Sequence, residues 1–308
     1  MAPSVYDACK YCMDIAFVIN RLALEGFGAT LTSLIRSCSA SAELRFWFLC
    51  SGLQDADKRN IDLLLQQEHY HGSTQYINFD AQQLFGHLQP LHGDWTPYGK
   101  LLIPSCVKVN TVLYLDADLV VLEDVLRLRQ VDFAGAVLTA VHGSSVGSAL
   151  DFPFFAQQLS WPAERPYFNS GVVFFNLKRW HELDMDQRWQ ALARAHGQCL
   201  TSHDQTLLNA ICEGNAAQLP IAFNNPWYSG LEKPQISGHS ILHFVGSPKP
   251  WDFTGRFIHS GYQTWRSFTP DFWYRWYHPM TLRKVYRTWQ IKRSILKSSL
   301  RWWQKTIR

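Results

Sequence analysis

The chain has 308 residues, of which 47% are hydrophobic, and a formal net charge of +4. This length and composition indicate a globular protein with one large or two small domains and exclude a fibrous or low-complexity chain. The charge is uneven, because ten basic and no acidic residues follow Asp271. A basic, aromatic tail is compatible with nucleic-acid binding, but the acidic body argues against it, and we predict no nucleic-acid partner.

Targeting signals and cysteine usage bear on the compartment. The first fourteen residues contain Asp7 and Asp14 and no apolar core, so no secretory signal is visible. The most apolar windows, 111–122 and 133–141, are shorter than the ~18 apolar residues of a membrane span. The odd, scattered set of seven cysteines indicates reduced thiols, and Cys9 and Cys12 lack the second ligand pair of a structural zinc site. We therefore predict a cytoplasmic protein.

Strands and helices alternate along the first two thirds of the chain. Apolar or alternating runs predict strands at 14–20, 44–50, 74–79, 111–116, 133–140, 171–177, 218–223 and 241–245. Helical periodicity covers 28–38, 53–68, 178–196 and 203–213, whereas 143–168 has no clean period and is interpreted as a loop acting as a lid. This order predicts an α/β fold with a mostly parallel twisted sheet flanked by helices.

Two carboxylates interrupt the most apolar strand. Asp116 and Asp118 lie in Leu113–Val121, where burial of two anions would cost several kcal/mol each without compensation. We expect the strand to end at Leu115, so that both aspartates lie at the edge where open α/β sheets bind ligands. There they can bind Mg²⁺ or Mn²⁺ bridging a diphosphate, although a solvated loop would show the same pattern.

Polar residues also accompany later strands and helix starts. Asn169 precedes the strand at 171–177 in a segment that could be a simple turn. Asp204 and Gln205 open the helix at 203–213, where Ser202 could act only as an N-cap. Lys100 opens a helical segment before the aspartate strand and brings a cation toward the same edge.

The strand at 241–245 carries a histidine and leads into a glycine and a lysine. A lone histidine on an apolar strand is usually a hydrogen-bonded core residue, but His243 is followed by Gly246 and Lys249. Glycine permits close backbone approach to a phosphate, and lysine supplies a charge for it. A neutral imidazole can complete the coordination of a metal that carboxylates already bind.

Taken in order, these motifs resemble glycosyltransferase family 8, which includes bacterial lipopolysaccharide galactosyl- and glucosyltransferases and the glycogenins. The resemblance covers about residues 13–255 and rests on LYLDAD, YFNSGVVFFNL, HDQTLLNA and HFVGSPKPW. It implies a GT-A fold, a UDP-sugar donor, Mn²⁺ (or Mg²⁺) and retention at the anomeric carbon. It also implies a catalytic domain over 1–268, since the composition becomes aromatic and basic from about 269 to 308.

Site residues follow from the same resemblance. It implies metal binding by Asp116, Asp118 and His243, and donor binding by Asn20, Asp116, Ala117, Gly246 and Lys249. Around the transferred sugar and the reaction centre it places Asn169, Asp204, Gln205 and Lys100. Gln205 would lie opposite the leaving group, and its neutral amide is a poor nucleophile, so same-face attack by the acceptor is favoured, with Asp204 as the alternative nucleophile.

Two positions depart from the family pattern. Lys100 replaces an arginine, and Asn20 replaces an aspartate that contacts uracil. These changes leave open a catalytically inactive sugar-nucleotide binder. The twelve tyrosines also leave open a glycogenin-like protein that glucosylates itself. Our main prediction is transfer of hexose from UDP-galactose or UDP-glucose to a glycan or glycolipid such as lipopolysaccharide.

The tail suggests where the protein acts. Residues 281–308 contain no proline or glycine, and their apolar side chains recur on one helical face beside basic residues. This is typical of an interfacial helix on an anionic membrane, although a helix packed on the body would show the same pattern. We expect the protein to be peripheral on the inner face of the cell membrane.

Overall fold

The computed structural model describes residues 12–235 and 238–279. In this part of the chain the strands are β1 (Met13–Asn20), β2 (Leu44–Ser51), β3 (Ser73–Phe79), β4 (Thr111–Leu115), β5 (Leu119–Val121), β6 (Leu138–Ala140), β7 (Ser144–Ser145), β8 (Pro166–Tyr167), β9 (Val172–Asn176), β10 (Ala217–Gln218), β11 (Asn225–Tyr228) and β12 (Ile241–Val245). The α-helices are α1 (Leu24–Ser37), α2 (Asp55–Gln67), α3 (Ala81–Phe85), α4 (Ile103–Cys106), α5 (Phe152–Gln158), α6 (Leu177–Glu182), α7 (Met185–His196), α8 (Asp204–Cys212), α9 (Gly255–Ile258), α10 (Tyr262–Phe268) and α11 (Asp271–Tyr277).

The main sheet has seven strands in the order β10-β6-β9-β4-β1-β2-β3. All neighbouring strands are parallel except β9, which runs antiparallel to both β4 and β6. Both faces of the sheet are covered. Along β1, Ala16 and Val18 pack in one apolar cluster, and Ile15 and Phe17 pack in the other. Burial on both faces explains why the central strands read as continuous apolar runs.

A second sheet, in the order β11-β12-β5, adjoins the first. The chain leaves the main sheet at Leu115 and enters the second sheet at Leu119, where β5 runs antiparallel to β12. The other edge of β5 is bound by hydroxyl groups of α1. The backbone N–H of Leu119 donates to Thr30 Oγ1 at 3.0 Å, and that of Val121 donates to Ser33 Oγ at 2.8 Å. The aspartates therefore lie where one sheet passes into the other.

Most predicted elements are present, including the end of β4 at Leu115 and the mostly parallel sheet. Two predicted strands are wrong in part. Only 138–140 of 133–140 is extended, because Ala134 and Gly135 have positive φ values of 48° and 78° and form a turn. The segment predicted at 218–223 is strand only at its start. After Pro220, residues Ile221–Phe223 form a 3₁₀ turn that buries Phe223.

Two longer segments are more structured than predicted. The helix at 178–196 is divided into α6 and α7 at Asp184, which adopts a left-handed conformation with φ 50°. The segment 143–168, interpreted as a loop, contains α5 and the β7–β8 pair. Phe154 and Phe155 are buried in the core, which explains why their apolar side chains lack the period of an exposed element.

The start of the predicted tail is packed structure. In α11 the indole of Trp273 is fully buried, lies 6.4 Å from the ring of Phe27 and donates from Nε1 to the carbonyl of Leu24 at 2.8 Å. The predicted boundary between 268 and 269 thus falls inside a region that packs on α1. The amphipathic segment 281–308 lies outside the described residues.

Cysteine chemistry is mixed. Cys38, Cys50, Cys106, Cys199 and Cys212 are free thiols. Cys12 is disulfide-bonded, so the prediction that the cysteines are all reduced is wrong for this residue. The described helices include none that is long and apolar enough to cross a membrane.

Candidate active site

The two aspartates after β4 meet a histidine from β12. One ligand atom from each of Asp116, Asp118 and His243 can be chosen so that all three lie within 4.8 Å of one another. His243 Nε2 is 3.2 Å from Asp118 Oδ1 and 3.9 Å from Asp116 Oδ2. His243 follows the two aspartates by 125 positions or more in sequence. It lies beside them because β5 pairs with β12, which places His243 opposite Leu119.

The histidine tautomer follows from a chain of hydrogen bonds that starts at a backbone group. The backbone N–H of Gly171 donates to Asn169 Oδ1 at 2.9 Å, which identifies that atom as the oxygen. The same oxygen accepts from Asn224 Nδ2 at 3.0 Å, so the other side-chain atom of Asn224 is an oxygen too. That oxygen lies 2.9 Å from His243 Nδ1, which must therefore carry the proton. In the neutral imidazole, Nε2 then has a free lone pair.

A cation fits this arrangement. The lone pair of His243 Nε2 faces two carboxylates, and Asp118 Oδ1 is buried without a hydrogen-bond partner in the described part of the chain. Three electron-pair donors that converge without a shared proton repel one another unless a positive charge lies between them. Imidazole and carboxylate donors together suit Mn²⁺ or Mg²⁺. Asn224 provides the outer hydrogen bond that typically orients a metal-binding histidine.

Close packing at Gly171 helps to define the same centre. A Cβ atom at this position would lie 2.3 Å from His243 Cε1 and 2.8 Å from Asp116 Oδ2. Gly171 also accepts a hydrogen bond from the backbone N–H of Asp116 at 2.8 Å. Only glycine therefore allows β9 to approach the histidine and the aspartate this closely.

A lysine lies on one side of the aspartate pair. Lys249 Nζ is 2.6 Å from Asp118 Oδ2 and also donates to the carbonyl oxygen of Phe244. Burial by itself raises the pKa of Asp118, but the neighbouring groups, above all the charge of Lys249, outweigh it and hold that pKa well below its usual range. Gly246 adopts φ 78°, and the space where its Cβ would point is open. The backbone here can accept a ligand at close range.

A second, buried lysine lies on the other side. Lys100 Nζ is 2.7 Å from Asp204 Oδ2 and 3.4 Å from Asp116 Oδ1, and it lies 4.7 Å from the ring centre of Tyr114. Burial by itself lowers the pKa of Lys100, but the charges of Asp116 and Asp204 raise it by more, so the net shift is upward. The ammonium group also donates to both oxygen atoms of Ser170. Lys100 thus links Asp116 to the start of α8.

The start of α8 presents the two residues predicted to surround the sugar. Asp204 is buried and accepts from Ser170 Oγ at 2.9 Å, while Gln205 is half-buried and accepts from the backbone N–H of Ser170 at 2.9 Å. His203, just before the helix, is held at φ 57° and ψ −118°, a conformation that L-residues rarely adopt. The helix thus begins next to a strained residue, and both polar side chains contact Ser170, just before β9.

Asn20 and Ala117 lie at the same sheet edge. Asn20 Nδ2 donates to Asp94 Oδ2 at 2.7 Å and to Thr96, while its Oδ1 accepts from the backbone of the following turn. Its amide is therefore already engaged, and the half-buried carboxylate beside it belongs to Asp94. The carbonyl oxygen of Ala117 would lie 2.7 Å from a Cβ at Gly26, so α1 packs tightly on this turn.

Sequence reasoning identified the charged residues of this site but missed the residues that orient them. Asn224 lies in a polar pair before Pro226, and Ser170 follows Asn169 in the segment that could be a simple turn. Tyr114 lies in the apolar strand, where its hydroxyl donates to Asp116 Oδ1 at 2.5 Å. A tyrosine two residues before an aspartate at a strand end was the one available signal, since both side chains then lie on the same face.

Comparison with known proteins identifies the fold. The galactosyltransferase LgtC, solved with donor and acceptor sugar analogues, superposes with a TM-score of 0.68 at 21% identity over 85% of this chain and 99% of that one. The architecture is therefore the GT-A fold of glycosyltransferases, as predicted.

The family is defined by a sequence model as well. Residues 11–255 match glycosyl transferase family 8, and the chain belongs to this family. It is 24% identical to the lipopolysaccharide 1,2-glucosyltransferase of Escherichia coli K12 over 259 residues, 78% of this chain and 73% of that protein. It is also 24% identical to the lipopolysaccharide 1,3-galactosyltransferase of Salmonella typhimurium LT2 over 281 residues, 83% of this chain and 77% of that protein.

Proposed function

We propose that this glycosyltransferase moves a hexose from UDP-galactose or UDP-glucose to a glycan or glycolipid acceptor such as lipopolysaccharide, with retention at the anomeric carbon. The observation that carries the proposal is the group formed by Asp116, Asp118 and His243, with Lys249 on one side and Asp204 on the other. A charged centre of this kind suits a diphosphate, and the polar residues beyond it suit a sugar.

The metal centre would be formed by Asp116, Asp118 and His243. A bound Mn²⁺ or Mg²⁺ would offset negative charge on the diphosphate as it leaves. Lys249 would also offset charge on the diphosphate. It lies on the loop that begins at Gly246, and its ammonium group contacts Asp118. Binding of a diphosphate would give that lysine a second anionic partner.

Retention is best explained by attack of the acceptor on the same face as the leaving group. The bond from the anomeric carbon to phosphate oxygen breaks, the acceptor oxygen forms the new bond, and its proton passes to the departing phosphate. The alternative nucleophile, Asp204, is buried and bound to both Lys100 and Ser170, which lowers its nucleophilicity. These contacts support a role for Asp204 in binding sugar hydroxyls.

Release of UDP from UDP-galactose, UDP-glucose and UDP-N-acetylglucosamine, measured with Mn²⁺, Mg²⁺ and chelator, tests the proposal. We expect Asp118→Ala to abolish turnover and metal-dependent UDP binding, while Asp55→Ala, which removes an exposed carboxylate in α2, leaves both unchanged. An Asp118→Ala protein that keeps more than about a tenth of the wild-type rate, a loss of under ~1.4 kcal/mol, would show that the metal assignment is wrong.

We further propose that the protein is cytoplasmic and binds the inner face of the membrane through its basic, aromatic tail. The support is compositional, since ten cations and no acidic residue follow Asp271. Each cation near an anionic surface contributes about 1 kcal/mol. Adsorption to phosphatidylserine vesicles should therefore be strong and sensitive to salt.

Truncation tests this location, and the structure decides where to cut. Removal of everything after Asp271 would delete Trp273 from the core, so we choose to end the chain at Pro279, after α11. The shortened protein should melt like the full chain, release UDP at the same rate and no longer co-sediment with anionic vesicles. Co-sedimentation that persists at physiological salt would contradict the role of the tail.

A further inference from the structure

A buried carboxylate lies behind the sugar end of the site. Asp151, which precedes α5, is completely buried. Its Oδ2 accepts from the hydroxyl of Tyr167 at 2.6 Å, and its Oδ1 accepts from the backbone N–H of Ser202 at 2.8 Å. Burial of an anion costs several kcal/mol unless strong hydrogen bonds compensate, so the buried Asp151 carboxylate depends on these two contacts. Neither the metal centre nor the diphosphate end explains them.

The direction of each hydrogen bond from Asp151 onward is determined by elementary chemistry. An ionised carboxylate only accepts, so the single proton of the Tyr167 hydroxyl points to Asp151. The hydroxyl oxygen must then accept from Gln205 Nε2, which lies 2.9 Å away. At the other end of the amide, the backbone N–H of Ser170 only donates, and it lies 2.9 Å from Gln205 Oε1. Both neighbours therefore require the same one of the two possible orientations of this amide.

The orientation matters because Gln205 is half-buried and borders the site. One N–H of its amide and one lone pair of its oxygen remain available to a ligand. Through Ser170, the same amide is also joined to Asp204 and to Lys100, whose ammonium group reaches Asp116. A flipped amide would place its NH₂ group against the N–H of Ser170. It would thereby disturb the contacts of Ser170 and reverse the donor and acceptor that Gln205 offers to a ligand.

We propose that Asp151 and Tyr167 are positioning residues that hold the Gln205 amide in one orientation for transfer of the sugar. The proposal rests on the proposed function, which supplies the sugar. It assigns a role to the segment 143–168 beyond that of a lid, since the segment contributes both residues to the wall behind the site. Asp151 acts through Tyr167 and does not touch the substrate.

The perturbation that separates this role from simple packing is Asp151→Asn. Asparagine has nearly the same shape, but its amide can donate to the Tyr167 oxygen and free the tyrosine proton to turn toward Gln205. The preference for one amide orientation is then lost. Tyr167→Phe removes the hydroxyl that joins Asp151 to Gln205, and it replaces Asp151→Asn as the test variant if that protein does not fold. Tyr70→Phe is the matched control, because its hydroxyl donates to the Leu44 carbonyl at 2.7 Å, away from the site.

Steady-state kinetics with the most active UDP-hexose give the first measurement. We expect both site variants to lower kcat at least tenfold, while the Kd for UDP with Mn²⁺ stays within twofold of wild type, because the proposed function places Gln205 beside the sugar and not beside UDP. Tyr70→Phe should match wild type in both. Unchanged kcat in both site variants, or equal losses in kcat and UDP affinity, would overturn the proposal.

A double variant tests the polarity of the chain directly. In Gln205→Glu alone, two carboxylates face the Tyr167 hydroxyl, which has only one proton to donate. This variant should therefore have a lower melting temperature than wild type. Addition of Asp151→Asn gives the tyrosine one donor and one acceptor again, so the melting temperature should rise back toward wild type. Additive losses in the double variant would overturn the proposal.

A third measurement requires no turnover. The side-chain ¹⁵N–¹H₂ resonances of Gln205, assigned by their loss in Gln205→Glu, should shift or broaden in Asp151→Asn and stay in place in Tyr70→Phe. Unshifted resonances in Asp151→Asn would overturn the positioning role. If the wild-type protein releases UDP from no UDP-hexose, the proposed function fails, but the melting and NMR results still decide the orientation of Gln205.

Discussion

A single methyl group at Gly171 tests the metal centre without removing any ligand. A Cβ atom there would lie 2.3 Å from Cε1 of His243 and 2.8 Å from Oδ2 of Asp116. Carbon atoms in contact stand about 3.5 Å apart or more, so the imidazole or β9 would have to move by roughly 1 Å. The ring has little freedom, because His243 is 4% exposed and its Nδ1 is bound to Asn224.

The expected magnitudes follow from this displacement. Overpacking of a well-packed interior costs about 1–3 kcal/mol of unfolding free energy. Disturbance of the groups that orient a metal ligand lowers metal affinity by about 10–100-fold. We therefore expect Gly171→Ala to fold with reduced stability and to bind Mn²⁺ at least tenfold more weakly than wild type.

Calorimetric titration with Mn²⁺ and thermal unfolding with and without the metal measure both effects. Wild type at a metal concentration of 100 Kd should gain about 2.7 kcal/mol, and the variant should gain clearly less at the same concentration. Gly143→Ala is the control, since a Cβ at Gly143 meets no atom within 4 Å. A folded Gly171→Ala protein with wild-type Mn²⁺ affinity would refute our description of the centre.

Three further predictions concern separate parts of the molecule. Asn20→Asp should lower the unfolding free energy by about 1–3 kcal/mol, because it places a carboxylate 2.7 Å from that of Asp94. Urea unfolding should show that Asp94→Asn in the same chain recovers most of this loss, whereas additive losses would contradict the contact. Asp204→Asn should lower kcat far more than UDP affinity, because Asp204 bonds to Lys100 and not to Lys249, the lysine proposed to bind the diphosphate. An equal loss of UDP binding would exclude Asp204 from the sugar site. Burial lowers the pKa of His259 from its usual 6.5 to about 4, so the unfolded chain takes up the proton first as the pH falls. The free energy of unfolding should therefore fall on the order of 3 kcal/mol from pH 6.5 to pH 4. His259→Asn, which keeps an acceptor for the Gly261 N–H, should flatten this pH dependence, and an unchanged pH dependence would contradict the shift.

The sequence by itself determined the regular elements of the fold and the charged residues of the site. Continuous apolar runs predict strands buried on both faces, and β1, β2, β4, β9 and β12 lie where those runs are. The aspartates follow the end of β4 because two buried anions inside a strand are too costly, a constraint that is local and therefore readable from sequence. Family membership follows from the same motifs.

Tertiary structure alone decided how those residues are oriented. The tautomer of His243 depends on Asn169 and Asn224, which are distant in sequence and carry no periodic signal. The orientation of Gln205 depends on Asp151 and Tyr167, from a segment whose sequence shows no clean period. Hydrogen-bond direction is a property of both partners at once, and partners brought together by sheet pairing leave no trace in the local pattern of either one. For this reason the sequence shows which groups are the candidates for the chemistry, and only the fold shows which way they point.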